Sequence, residues 1–218
     1  ERALALDPTD LEGLNKAATF LLNLRRLNDA LALREALGRR DPVNMRLLSN
    51  YGFNLRYGGR LDEAIASFRS LLSLSPGRGT AHAQLRVALL LKGDASGALA
   101  EIEHERSELW RMIALPMAYH ALGRKADSDA AMAALIAKYE KDAAYNIAYT
   151  YAYRGEADKA FEWLDKAVAY GDPGLGEIVV ENFFDKIHSD ARWLPFLRKI
   201  GKAPEQLAKI EFKVTLPS

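Results

Sequence analysis

Apolar residues recur along this chain with helical spacing, in short runs punctuated by glycine and proline. Leu48, Tyr51, Gly52 and Leu55 follow the i, i+3, i+4, i+7 rhythm of a single helix face. Gly58-Gly59-Arg60 then closes that helix, since glycine readily takes the positive φ that ends one. A second helix opens at Leu61, with Asp62 and Glu63 favourable at its positive end. Its apolar face is Leu61, Ala64, Ile65, Phe68, Leu71 and Leu72, and Ser75-Pro76-Gly77 stops it. The pattern thus predicts two helices joined by a tight turn.

This two-helix unit repeats. Pro8, Pro42 and Pro76 stand 34 residues apart, as do Ala30, Ala64 and Ala98, and Leu21, Leu55 and Leu89. Gly59 and Gly93 share the spacing, and the glycine column continues at shorter intervals as Gly123 and Gly155. Variable length is expected in inter-helix turns. The small residues have a packing reason, because two helices that cross closely leave no room for bulk. Ala18, Gly52 and Ala148 hold that place on first helices, and Ala30, Ala64, Ala98 and Ala160 on second helices.

Paired helices, a 34-residue period, small crossing residues and a closing proline resemble the tetratricopeptide-repeat (TPR) family. The resemblance implies an all-α, right-handed superhelical solenoid of antiparallel helix pairs. It places the array over residues 1–173, with a partial repeat at 1–10 and repeats at 11–44, 45–78, 79–108, 109–140 and 141–173. Ala3–Pro8 reads as the remnant of a further repeat, so the chain is expected to be a piece of a longer one. Repeat 79–108 has a shortened second helix, and Pro116 should kink the first helix of the next repeat or shift its start.

Residues 174–218 break the period and are expected to form C-terminal capping helices and a tail. Ile178, Val179, Phe183, Phe184, Ile187, Trp193, Phe196, Leu197 and Ile200 would cover the last apolar face. Short helices are expected near Leu175–Asn182 and Ala191–Ile200, with Pro204 suited to a further first turn. Residues 212–216 fit an extended or a helical form equally. The stretch Ala144–Glu156, then Lys159–Ala167, Gly171-Asp172-Pro173, Phe184–Ser189 and Arg192–Gly201, resembles the C-terminal TPR region of bacterial multidomain transcriptional regulators and nucleotide cyclases. Ser189-Asp190-Ala191 departs from that group's usual Asp-Pro.

In TPR proteins the first helix of each unit lines the concave face. By register the partner-binding groove would hold Asn15 and Thr19, then Arg46, Asn50, Phe53 and Arg56, then Gln84. Trp110 and His120 follow, then Tyr145, Asn146, Tyr149 and Tyr153. Val87 and Ile113 fall on the same face. Asn and Gln can grip a peptide backbone, and Tyr and Trp are enriched at interfaces. The matching positions lack the cations of the carboxylate-clamping co-chaperones; only Asn50 fits among Asn15, Thr19, Asn50, Thr80 and Gln84. The expected function is therefore a scaffold for a peptide or protein partner. The alternative is an intramolecular regulatory or dimerisation module of a bacterial signalling protein, and a third reading is a repeat domain appended to a transferase. Homo-oligomerisation stays open.

Composition removes other classes. Thirty Lys and Arg against 29 Asp and Glu give a net charge of +1, so no broad field favours nucleic acid or membrane. The chain has no cysteine, which fits cytoplasm or periplasm, with the cytoplasm slightly ahead. No apolar run approaches the roughly 18 residues that a membrane span needs. Glu101-Ile102-Glu103-His104 has di-iron ligand spacing but no second copy, and reads as a solvated helix face. No phosphate loop, nucleophile elbow or zinc-protease motif occurs. The expectation is a non-enzyme without cofactor or metal.

Overall fold

A computed structural model describes residues 10–212, so residues 1–9 of the partial repeat expected at 1–10, and the tail beyond 212, lie outside them. The described residues contain helices and turns and no strand. They group into two compact units. The first runs to Pro76 and takes in the C-terminal segment from Leu197; the second is Gly77–Phe196.

In the first unit, α1 (Leu11–Asn23) pairs with α2 (Leu27–Arg40), and α3 (Met45–Tyr57) with α4 (Leu61–Leu74). Each first helix opens on a side-chain cap. Asp10 accepts from the backbone N–H groups of Glu12 and Gly13, and Asn44 from those of Arg46 and Leu47. The turn into each second helix needs one residue at positive φ. Gly59 supplies it at 74° before α4, whereas the matching position before α2 is Arg25 at 60°. Arg26 and Arg60 begin the second helices and pair with Asp29 and Glu63 one turn on.

The close crossings follow from the small-residue columns. Ala18, Ala30 and Ala64 are fully buried, and a Cβ built on Gly52 would lie 2.7 Å from the buried Phe68 ring. Leu14, Leu33, Leu37, Leu55 and Leu71 fill the rest of this core. The C-terminal segment adds α12 (Pro204–Leu207), with Pro204 in its first turn and the Gln206 side chain accepting from the Ala203 N–H.

The second unit repeats the plan with α5 (Gly79–Lys92), α6 (Ala95–Ile102), α7 (Glu108–Ala121), α8 (Lys125–Tyr139), α9 (Ala144–Tyr153) and α10 (Ala157–Tyr170). The short α6 is the expected one. Pro116 neither breaks α7 nor displaces its start; the helix runs through it, and buried Ser128 donates its hydroxyl to the Pro116 carbonyl at 2.6 Å.

Beyond α10 the outcome differs from expectation. The helix expected at Leu175–Asn182 is absent, and two short 3-10 segments stand at Pro173–Glu177 and Asn182–Ile187. Gly174 and Gly176 weaken α-helix there, and the carboxylates of Asp172 and Glu181 accept from the Gly174 and Phe183 N–H groups, which fixes turns instead. The expected last helix is present as α11 (Trp193–Lys199).

Candidate partner-binding face

Helical register carries Asn15 and Thr19 on one face of α1, one turn apart. Asn50 reaches the same place from α3, and Arg34 from α2. Arg34 donates one guanidinium N–H to the Asn15 Oδ1 and another to the Thr19 Oγ1 at 2.7 Å. Asn50 donates its Nδ2 to the same Asn15 oxygen at 2.9 Å. Two donors on that oxygen fix the amide's orientation, oxygen inward and NH2 away from the cation. Thr19 donates its own proton to the Asn15 carbonyl.

Arg34 is only 3% exposed. Burial holds its pKa down to about 10, and the nearby Arg46 pushes in the same direction. No carboxylate among the described residues acts against them. At the rim, exposed Arg46 pairs with Glu12, whose carboxyl it holds below the usual range, and Lys16 adds a 3.6 Å contact to that carboxylate. Two cations therefore face a single acid at the surface, with a third beneath. Phe53 is half-buried, edge-on to Phe68. Arg56 does not face outward as register suggested; it is 2% exposed and lies over the Tyr57 ring at 3.9 Å.

The corresponding helix faces of the second unit are partly closed by the chain itself. The Asn182–Ile187 segment packs on α9. Phe183 lies against Tyr149 and Tyr153, and Phe184 against Tyr145. Tyr145 and Tyr149 are consequently buried and Tyr153 half-buried, not arrayed on an open surface as expected. A Cβ on Gly174 would lie 2.3 Å from the Tyr145 ring, so that turn is also pressed onto α9. Lys186 donates to the Tyr153 carbonyl at 2.5 Å and sits over its ring. Asn146 is half-buried and donates to the Tyr149 hydroxyl. His120, on α7, meets Tyr153 edge-on, and its burial holds the imidazole pKa below the ordinary value. Gln84 is half-buried, and Trp110 remains 45% exposed.

Helix pairs at this period and packing match solved structures. A thermophilic TPR protein of Thermus thermophilus superimposes with a TM-score of 0.61 at 17% identity, covering 81% of this chain and 98% of that one. A tetratricopeptide repeat protein of Parabacteroides merdae gives 0.60 at 16% identity, covering 96% and 84%. This chain has the tetratricopeptide-repeat fold. No family model and no curated protein matches it.

Within the TPR frame, Arg34 is the residue that sequence reasoning missed. It occupies the column of Phe68 and Ile102, 34 residues apart each time, where core side chains stand. A cation in a core column was the available signal. Phe183 and Phe184 were legible as apolar anchors, but nothing in the sequence said that they cover α9.

The Glu101–His104 pair also finds its place. Glu101 contacts His82 Nδ1 at 2.6 Å, and the rings of His82 and His104 stack at 4.8 Å. Among the described residues no group of three or more His, Asp or Glu is placed to hold a metal ion. No described helix is long and apolar enough to cross a membrane.

Proposed function

We propose that this TPR chain is a protein-interaction scaffold that takes a peptide or protein partner on the α1–α3 face of its first unit, and that the partner group seated there is acidic. One observation carries the reading. Arg34 is a buried guanidinium with no described carboxylate set against it, hydrogen-bonded to two residues that lie on the α1 face. A buried charge is costly unless it is paired. A carboxylate arriving over Asn15 and Asn50 would provide the missing opposite charge. Arg46 would meet it at the rim. Thr19, Phe53 and Asn50 offer further polar and aromatic contact.

The α9 face supports the same assignment by contrast, because the chain's own Phe183 and Phe184 already lie on it. Tyr145 and Tyr149 are thus proposed as packing residues and the α1–α3 face as the contact surface. Trp110 and Gln84 are kept as secondary contacts in the second unit.

Fluorescein-labelled decapeptides of acidic, neutral and basic composition test this by anisotropy. The acidic peptide should bind best and weaken as salt rises. The double variant Arg46→Ala/Asn50→Ala should lose about tenfold in affinity, on the order of one charged hydrogen bond. Tyr149→Ala should not remove the preference for acid. Equal binding of the three peptides, or affinity untouched in the double variant with its helicity intact, would sink the proposal.

A further inference from the structure

Leu37, Leu71, Leu135 and Ala167 stand at one position of their repeats, each the same distance beyond the positive-φ turn residue, and all four are fully buried. In repeat 79–108 that position holds Glu105. The same repeat carries Arg86 where Ala18, Gly52 and Ala148 leave room for two helices to cross. Two apolar or small columns are thus interrupted together, by an acid in one and a base in the other. The two side chains meet. Arg86 Nη1 lies 3.4 Å from Glu105 Oε2, with 4% and 8% of their side chains exposed. Burial pushes the guanidinium below its ordinary pKa, and Glu105 opposes that shift. Arg86 Nε finds no acceptor among the described residues, so the compensation is incomplete.

The helix changes with the pair. α6 stops at Ile102 after 8 residues, whereas the other second helices run 14 or 15. Residues 103–107 follow as turns and contain no apolar side chain. Glu105 holds them in place and also organises the start of α7. Its carboxylate accepts from the Ser107 N–H at 2.8 Å, and its main-chain carbonyl accepts from Arg111 at 3.3 Å. Ser107 in turn caps the Trp110 N–H.

We propose that residues 103–107 are a latch, fastened to α5 by the Arg86–Glu105 pair, and that this latch is the part of the second unit that opens first, releasing the start of α7 with Trp110. The physical reason is a reversal of sign. When the end of α8 lifts away, Leu135 loses its burial, which opposes opening. When the latch lifts away, two buried charges regain water, which favours it. The opening is local, because α7 beyond its first turn and α8 keep their own apolar contacts. The α1–α3 face takes no part, so this proposal stands apart from the acidic-partner reading.

Hydrogen exchange of the full chain at pH 7, read by mass spectrometry, tests the latch with two variants. Glu105→Gln keeps an acceptor for the Ser107 N–H but leaves Arg86 buried without its opposite charge. Exchange across 103–111 should rise at least about tenfold while Lys125–Tyr139 is unchanged. Arg86→Ala/Glu105→Leu restores the small and apolar columns. Exchange across 103–111 should then fall about tenfold below that of the natural chain, within the range by which apolar replacement of buried pairs stabilises. A double variant that folds, by circular dichroism, yet exchanges as fast as the natural chain would overturn the proposal. So would a Glu105→Gln chain whose 103–111 exchange is unchanged, or rises no more than that of Lys125–Tyr139; this second measurement decides the matter if the double variant does not fold.

Discussion

Gly52 and Gly38 both lie inside helices of the first unit, yet the same substitution should have opposite effects at the two positions. A Cβ at Gly52 would meet the Phe68 ring at 2.7, 2.8 and 3.2 Å. Phe68 is fully buried, so its ring has nowhere to swing. Forcing a methyl into such a core costs about 1–3 kcal/mol. Alanine's better helix propensity returns about 1 kcal/mol. Gly52→Ala should therefore destabilise by about 1 kcal/mol. At Gly38 a Cβ meets nothing within 4 Å, and φ is not positive. Gly38→Ala should stabilise by about 0.5–1 kcal/mol through propensity alone. Urea unfolding followed by circular dichroism gives both values, with a separation of about 2 kcal/mol expected. Pairing Gly52→Ala with Phe68→Leu should recover part of the loss, because the smaller side chain leaves room for the methyl. If Gly52→Ala stabilised as much as Gly38→Ala, the close crossing of α3 and α4 would be wrong.

Further tests address the other elements. Arg25→Gly should stabilise by about 1 kcal/mol in the same urea assay, since Arg25 is, among the described residues, the one non-glycine at positive φ and holds the turn position that Gly59, Gly93, Gly123 and Gly155 take elsewhere. Phe184→Ala should destabilise by about 3–5 kcal/mol, because Phe184 is fully buried against Tyr145 and Trp193. Acidification should weaken the fold through His120. Its folded pKa lies below the ordinary 6.5, so the folded state disfavours the proton that the unfolded chain takes up. Thermal midpoints from pH 8 to pH 5 should thus fall more for the natural chain than for His120→Gln, with the difference opening as pH drops through about 6.5; parallel curves would refute it.

The helix pairs were legible because their constraints are local. Proline ends helices, glycine closes turns, and alanine marks crossings, each at a fixed spacing. Exceptions within the columns were harder to see. Arg25 sits where the glycine column should continue, held by neighbours that need a turn there. Arg34 sits in the Phe68 column, and its burial depends on Asn15 and Thr19 from another helix accepting its protons. The register of α9 told which face Tyr145 and Tyr149 share, but not what lies on that face. That depended on the Asn182–Ile187 segment, which follows no period and whose turns are set by the side chains of Asp172 and Glu181. The edge-on contact between the rings of Phe20 and Phe212 joins residues nearly two hundred apart, beyond the reach of any pattern in the sequence.

Hydroxyl-radical footprinting with mass spectrometry bears most directly on which helix faces are open to a partner. Trp110 should be oxidised rapidly in the folded chain, while Tyr145, Tyr149 and Phe183 should react only once the chain is unfolded by urea. Oxidation of Tyr149 at the rate of Trp110 in the folded chain would contradict a filled α9 face, and with it the assignment of partner contact to α1–α3.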